Sequence, residues 1–182
     1  MIVRRITAGA AGLALAGTAF AAAPAMAKSQ TTLGLDAGLV KTLTDGGVAV
    51  SATSPAKMSG TKITFPAKMK GKVVTHKGGI SFKSAANTVT LVKLAINAKN
   101  GKVSAEATQP VAAPLADLMK VSGGKNKLKK NGTWKGAKLS LAKSFDFAGQ
   151  ATDPATLIGT LLGLPAGSIK TGAVIGKIDI KA

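Results

Sequence analysis

One histidine, seven carboxylates and no cysteine are the whole stock of conventional catalytic and metal-binding side chains in this 182-residue chain. Without cysteine there is no thiolate nucleophile, no redox pair and no disulfide staple. A Ser-His-Asp site would need His76, and no Gly-x-Ser-x-Gly elbow accompanies it. The acids are Asp36, Asp45, Glu106, Asp117, Asp146, Asp153 and Asp179, scattered along the chain. Most have a structural use ready: Asp36 and Asp153 as helix N-caps, Asp45 before a Gly-Gly turn, Asp179 in a terminal strand. That argues against a carboxylate pair of the glycosidase kind. A metal would find mainly oxygen ligands, and no Asp-x-Asp-x-Asp-Gly loop is present. The expectation is a protein that is not an enzyme.

His76 is the residue to single out. It ends an apolar-alternating run and precedes Lys77-Gly78-Gly79. It is read either as a haem or metal contact or as a hairpin-end histidine that fixes a turn through a backbone hydrogen bond. On the residue alone, the structural role is favoured.

The second chemistry-bearing group is lysine. Arg4 and Arg5 are the only arginines, so 23 of the 25 basic residues are lysines, all of them beyond residue 27. Against seven acids, residues 28–182 carry +16. Such a charge attracts polyanions. Lysine is a hydrated point charge, whereas arginine supplies the bidentate fork that reads phosphates and base edges. With no tyrosine and few other aromatics to stack on, nucleic acid is disfavoured as a partner. An anionic cell-wall or envelope polymer is the expected one. The densest charge is Lys120, Lys125, Lys127, Lys129 and Lys130, flanked by Gly123-Gly124 and Asn131-Gly132. This segment reads as a hairpin tip and a candidate polyanion contact, or simply as a solvated loop. Asn131-Gly132-Thr133 has the form of a glycosylation sequon and is given little weight.

The elements that must position these residues are mostly strands. Residues 1–27 come first and read as a secretory signal peptide: Arg4 and Arg5, an apolar run from Ile6, then Ala25-Met26-Ala27. Residues 28–182 are the length of one domain. No later stretch is apolar for long enough to span a membrane. The location expected is therefore secreted and associated with the cell envelope.

Strands are expected at 62–65, 72–76, 80–83, 88–97, 102–107, 133–142 and 168–181. Gly78-Gly79 is read as the turn of a hairpin, and Asn100-Gly101 as another turn. In 88–97, Val89 and Leu91 fall on one parity and Val92, Leu94 and Ile96 on the other, so both faces look partly buried. In 168–181 a change of apolar parity suggests a bulge near Gly172 or Gly176. Two short helices are expected: one from Asp36 to about Thr44, and one begun by Asp153-Pro154 and ended by Gly163. The fold class is mainly β, an antiparallel β-sandwich or open barrel with one or two short capping helices.

The order of segments adds a resemblance. Lys62-Ile63-Thr64-Phe65-Pro66, then His76-Lys77-Gly78-Gly79-Ile80-Ser81-Phe82, then Val89-Thr90-Leu91, then Gly101-Lys102-Val103-Ser104-Ala105 resembles the HtaA-type domain over roughly residues 33–182. The resemblance implies a secreted or surface-attached β-rich domain of a family in which several members bind haem. In those members a tyrosine ligates the iron, assisted by a histidine that would correspond to His76. This chain has no tyrosine. Iron would have only His76 or a methionine such as Met58, Met69 or Met119. No cofactor is therefore expected, with haem bound through His76 as the alternative.

Overall fold

The computed structural model describes residues 29–110, 112–128 and 132–182. The expected signal peptide lies outside the described residues, as do Lys129, Lys130 and Asn131. The elements are β1 (Gln30–Leu35), α1 (Ala37–Asp45), β2 (Ala49–Thr53), β3 (Lys57–Ser59), β4 (Lys62–Lys70), β5 (Val73–His76), β6 (Gly79–Lys83) and β7 (Thr88–Asn97). They continue with β8 (Lys102–Gln109), β9 (Ala113–Ser122), β10 (Lys125–Lys127), β11 (Thr133–Leu141), β12 (Phe145–Phe147), β13 (Gln150–Thr152), α2 (Pro154–Leu161) and β14 (Val174–Lys181).

Eight strands close into an antiparallel barrel in the order β7-β5-β4-β1-β14-β11-β9-β8, and β8 returns to pair with β7. The mainly-β expectation stands, but the sheet is a closed barrel rather than a sandwich or an open one. Closure leaves the barrel's own strands without free edges. It also follows from the side chains: inward positions such as Leu33, Ile63, Phe65, Ile96, Val103, Leu139 and Ile178 are buried. Outward positions such as Lys62, Lys68, Lys138, Lys177 and Lys181 are exposed. Lipid-facing barrels have the reverse pattern, apolar outside. Among the described residues, no helix is long and apolar enough to cross a membrane.

Two long strands are each broken by a glycine pair. β5 and β6 both run antiparallel to β7, β5 along residues 95–97 and β6 along residues 88–92. Gly78-Gly79 is therefore an interruption within one long strand, not the hairpin turn expected from the sequence. Gly78 has φ +81°, and a Cβ there would lie 2.5 Å from Ala56 N and from Thr53 O. A Cβ on Gly79 would lie 2.1 Å from Leu91 O. Close backbone approach, rather than chain reversal, explains the pair. Likewise β9 and β10 both pair along β11, joined through Gly123-Gly124. The 120–132 segment is thus mostly strand on its first half, not a loop tip.

The interruption at Gly78-Gly79 forks the barrel. At one end β5 alone bridges β4 and β7. At the other end β3 lies on β4, β6 lies on β7, and β2 lies on β6, so the wall is wider. The helices sit at this wider end. Asn87, in the turn between β6 and β7, donates its side-chain amide to Leu161 O at the end of α2. A Cβ on Gly46, which caps α1, would meet the Leu164 side chain. Both helices are capped as the sequence implies. Leu39 N donates to Asp36 Oδ1, and Ala155 N donates to Asp153 Oδ1.

Bulges resolve the mixed parities. Lys93 has φ +51°, and the β7–β8 register shifts between Val92 and Ala95. That extra residue puts Val89, Leu91, Leu94 and Ile96 all in the core. In β14, Leu139 pairs with Gly176 while Ser140 pairs with Val174, so the bulge adjoins Gly176.

Candidate functional site

His76 lies inside the barrel at the end of β5, where the β5–β6 strand is interrupted. The ladder pairs Thr75 with Ala95 and Gly79 with Val92, leaving the carbonyl of Leu94 without a strand partner on that side. His76 Nδ1 takes that place, donating to Leu94 O at 2.9 Å. A carbonyl only accepts, so Nδ1 carries the proton and Nε2 accepts from Thr31 Oγ1 at 2.7 Å. The Phe65 ring packs edge-on against the imidazole, with centroids 5.9 Å apart. Burial pushes the His76 pKa below its ordinary value of 6.5, with the Leu94 hydrogen bond opposing in part. The backbone hydrogen bond expected of this histidine exists, but it mends a strand break rather than a hairpin end.

Around His76, side chains of Leu33, Phe65, Leu94, Ile96, Met119 and Ile178 fill the interior and leave a void of only ≈20 Å³. An eight-stranded barrel has room for its own side chains or for one small ligand, and here side chains fill the space around His76. A haem iron could reach this imidazole only by displacing both hydrogen bonds and several core side chains. Met119 is in the same core; Met58 and Met69 are half-buried on β3 and β4.

The lysines build the other candidate. An open groove of ≈670 Å³ runs over the outer faces of β8, β9 and β11 beneath the β12–β13 hairpin. Lys102, Lys120, Lys138 and Lys143 line it, with Ser122, Ser140 and Ser144 between them. Strand register sets this array: Lys102 sits opposite Lys120, Lys120 opposite Ser140, and Ser122 opposite Lys138. Lys138 also borders a second open groove of ≈410 Å³ over β11, β14 and β1. Its floor holds Gly34, Gly136 and Gly176, and Lys177 stands opposite Lys138 across the strands. A Cβ on Gly176 would lie 2.0 Å from Gly34 O, so the shallow floor is a condition of strand contact there.

The carboxylates near this track are already engaged. Asp117 pairs with Lys102. Asp146 accepts from Gly149 N at 2.9 Å. Asp36 caps α1, and Asp179 accepts from Gly136 N at 2.6 Å. Among the described residues the other ion pairs are Lys41–Asp45 and Lys93–Glu106, so Lys120, Lys138, Lys143 and Lys177 face solvent with no acid partner. Like charges held close on a sheet repel, and an anionic ligand relieves that repulsion.

The structure divides the lysines grouped by sequence. Lys120 belongs to the groove. Lys125 and Lys127 lie on β10 at the narrow end, where Asn126 donates to Ala98 O in the β7–β8 turn. Lys129 and Lys130 fall outside the described residues. The sequence alone does not single out Lys102, Lys138, Lys143 and Lys177, because their proximity depends on cross-strand register. The alternation of lysine with apolar residues in 135–143 and 174–181 was the available signal.

No family model matches the chain, and neither does any curated protein sequence. Among solved structures the chain is similar to the N-terminal domain of HtaA from Corynebacterium glutamicum, at 9% sequence identity and a TM-score of 0.49. That alignment covers 84% of this chain and 96% of the other, a distant structural relationship.

Proposed function

We propose that this protein is a non-enzymatic, secreted binding module of the cell envelope whose lysine track holds an extended anionic polymer. The observation that carries the reading is the pair of adjoining grooves sharing Lys138, lined by Lys102, Lys120, Lys138, Lys143 and Lys177. Two open concavities in series suit a chain of repeating anionic groups better than a compact ligand. Point-charge lysines on a solvated surface suit attraction that tolerates variation in the polymer.

Linear polyphosphate serves as the probe, with binding followed calorimetrically across a salt series. Affinity falls steeply as ionic strength rises, because exposed charges are screened beyond about 10 Å at 0.1 M. Replacing Lys120, Lys138 and Lys143 together by glutamine lowers affinity roughly tenfold. The control removes Lys68, Lys70 and Lys72, on and beside the β4–β5 turn, and leaves most of the binding. Equal loss in both triple variants would mean that overall charge, not the track, does the binding.

A further inference from the structure

We infer that the protein has a second, apolar site beside the lysine track, and that together they accommodate a single-chain amphiphile with an anionic head. Between the barrel wall and α2 lies a cavity of ≈210 Å³. Leu91, Leu115, Leu118, Phe147, Leu157 and Leu161 line it, and Gln109 is the one polar side chain at its border. Gln109 Oε1 already accepts from Thr90 Oγ1 at 3.3 Å. Water gains little in such a space, since it needs two to four polar partners. The cavity exceeds the ~150 Å³ apolar void that admits benzene, so it has room for a short aliphatic segment. Ala107 and Ala113, small residues of β8 and β9, are part of its lining.

Its position names the occupant. The lysine groove and the cavity both border β12. Phe145 borders the groove, Phe147 borders the cavity, and their rings are 5.9 Å apart. A ligand with its anion among Lys120 and Lys143 thus has an apolar space bordered by the same short strand for its chain. The head-group half rests on the reading of the lysine track; the chain half does not.

The test uses a series of alkyl phosphates, from butyl to decyl, each kept below its micelle concentration, with octyl glucoside as the neutral counterpart. Affinity is expected to rise about fourfold per methylene and then level off as the cavity fills. Octyl phosphate binds more tightly than octyl glucoside, and K120Q/K143Q removes that difference. Ala113→Phe, at a half-buried lining position, weakens octyl phosphate by about tenfold or more. Leu157→Gln, on the half-buried face of α2, does the same if the first variant folds poorly. Affinity that ignores chain length would overturn the inference. So would equal binding of the glucoside, or self-association of the chain that Ala113→Phe abolishes. If polyphosphate binding persists while the alkyl series is flat, the apolar site alone is refuted.

Discussion

Replacing His76 with alanine removes the proton that Leu94 O accepts and the lone pair that receives the Thr31 hydroxyl, and it leaves a void in the core. The expected loss is about 2–4 kcal/mol in a denaturant melt. The imidazole also leaves a pH signature. Burial lowers its folded pKa below 6.5, so as pH falls through 6.5 the unfolded chain takes up a proton that the folded chain refuses. Wild-type stability therefore declines from about pH 6.5 downward, by at most ~1.4 kcal/mol per pH unit, and levels off below the folded pKa. His76→Gln abolishes this part of the slope. Melts at pH 7.5, 6.5 and 5.5 on both proteins check it; parallel curves would show that the histidine does not titrate against folding.

Among the elements, α2 is tied into the molecule through its cap. Asp153 receives Ala155 N and the hydroxyls of Thr156 and Thr171, so one side chain starts the helix and ties it to the loop before β14. Desolvation raises its pKa, but the hydrogen bonds from Thr171, Ala155 and Thr156 outweigh this and hold it below 3.8. Its contribution is present above pH 3.8 and is lost as pH falls through the lower folded value. Asp153→Ala costs about 1 kcal/mol, read as a drop in melting temperature at pH 7. Both helix caps were legible in the sequence because capping is local: Asp, then Pro or small residues, then an apolar stripe. The sequence pattern does not reveal strands β1 and β9. Pro110 and Pro114 look like strand breakers around β9, yet Pro114 sits ahead of the part that pairs with β11, residues 119–122, where its missing N–H costs no bond to that neighbour. In β1, Thr31 and Gly34 hide the alternation, and only partners on both sides make it a strand.

For the whole molecule, barrel closure decides what the lone histidine can do. A haemin titration of the protein is expected to give a weak, non-saturating absorbance change that is the same in His76→Ala. A saturable Soret shift near one equivalent that the substitution abolishes would show that the barrel opens to expose the imidazole. Closure also brings lysines from β8, β9, β11 and β14 onto one outer surface, although they are up to 75 residues apart in the chain, from Lys102 to Lys177.

By itself the sequence determined the absence of thiol chemistry, the mainly-β texture, the two capped helices and the strong positive charge. All of these follow from composition or from residues within a few positions of one another. Tertiary structure decided the closed barrel, the strand-breaking role of the two glycine pairs, the burial of His76 and the lysine track. Each of these depends on register between distant strands, and a bulge of one residue, as at Lys93, moves every later side chain to the other face. Local pattern can show that apolar parity changes, as it does in 168–181, but which strands pair, and in what register, is settled only when they meet.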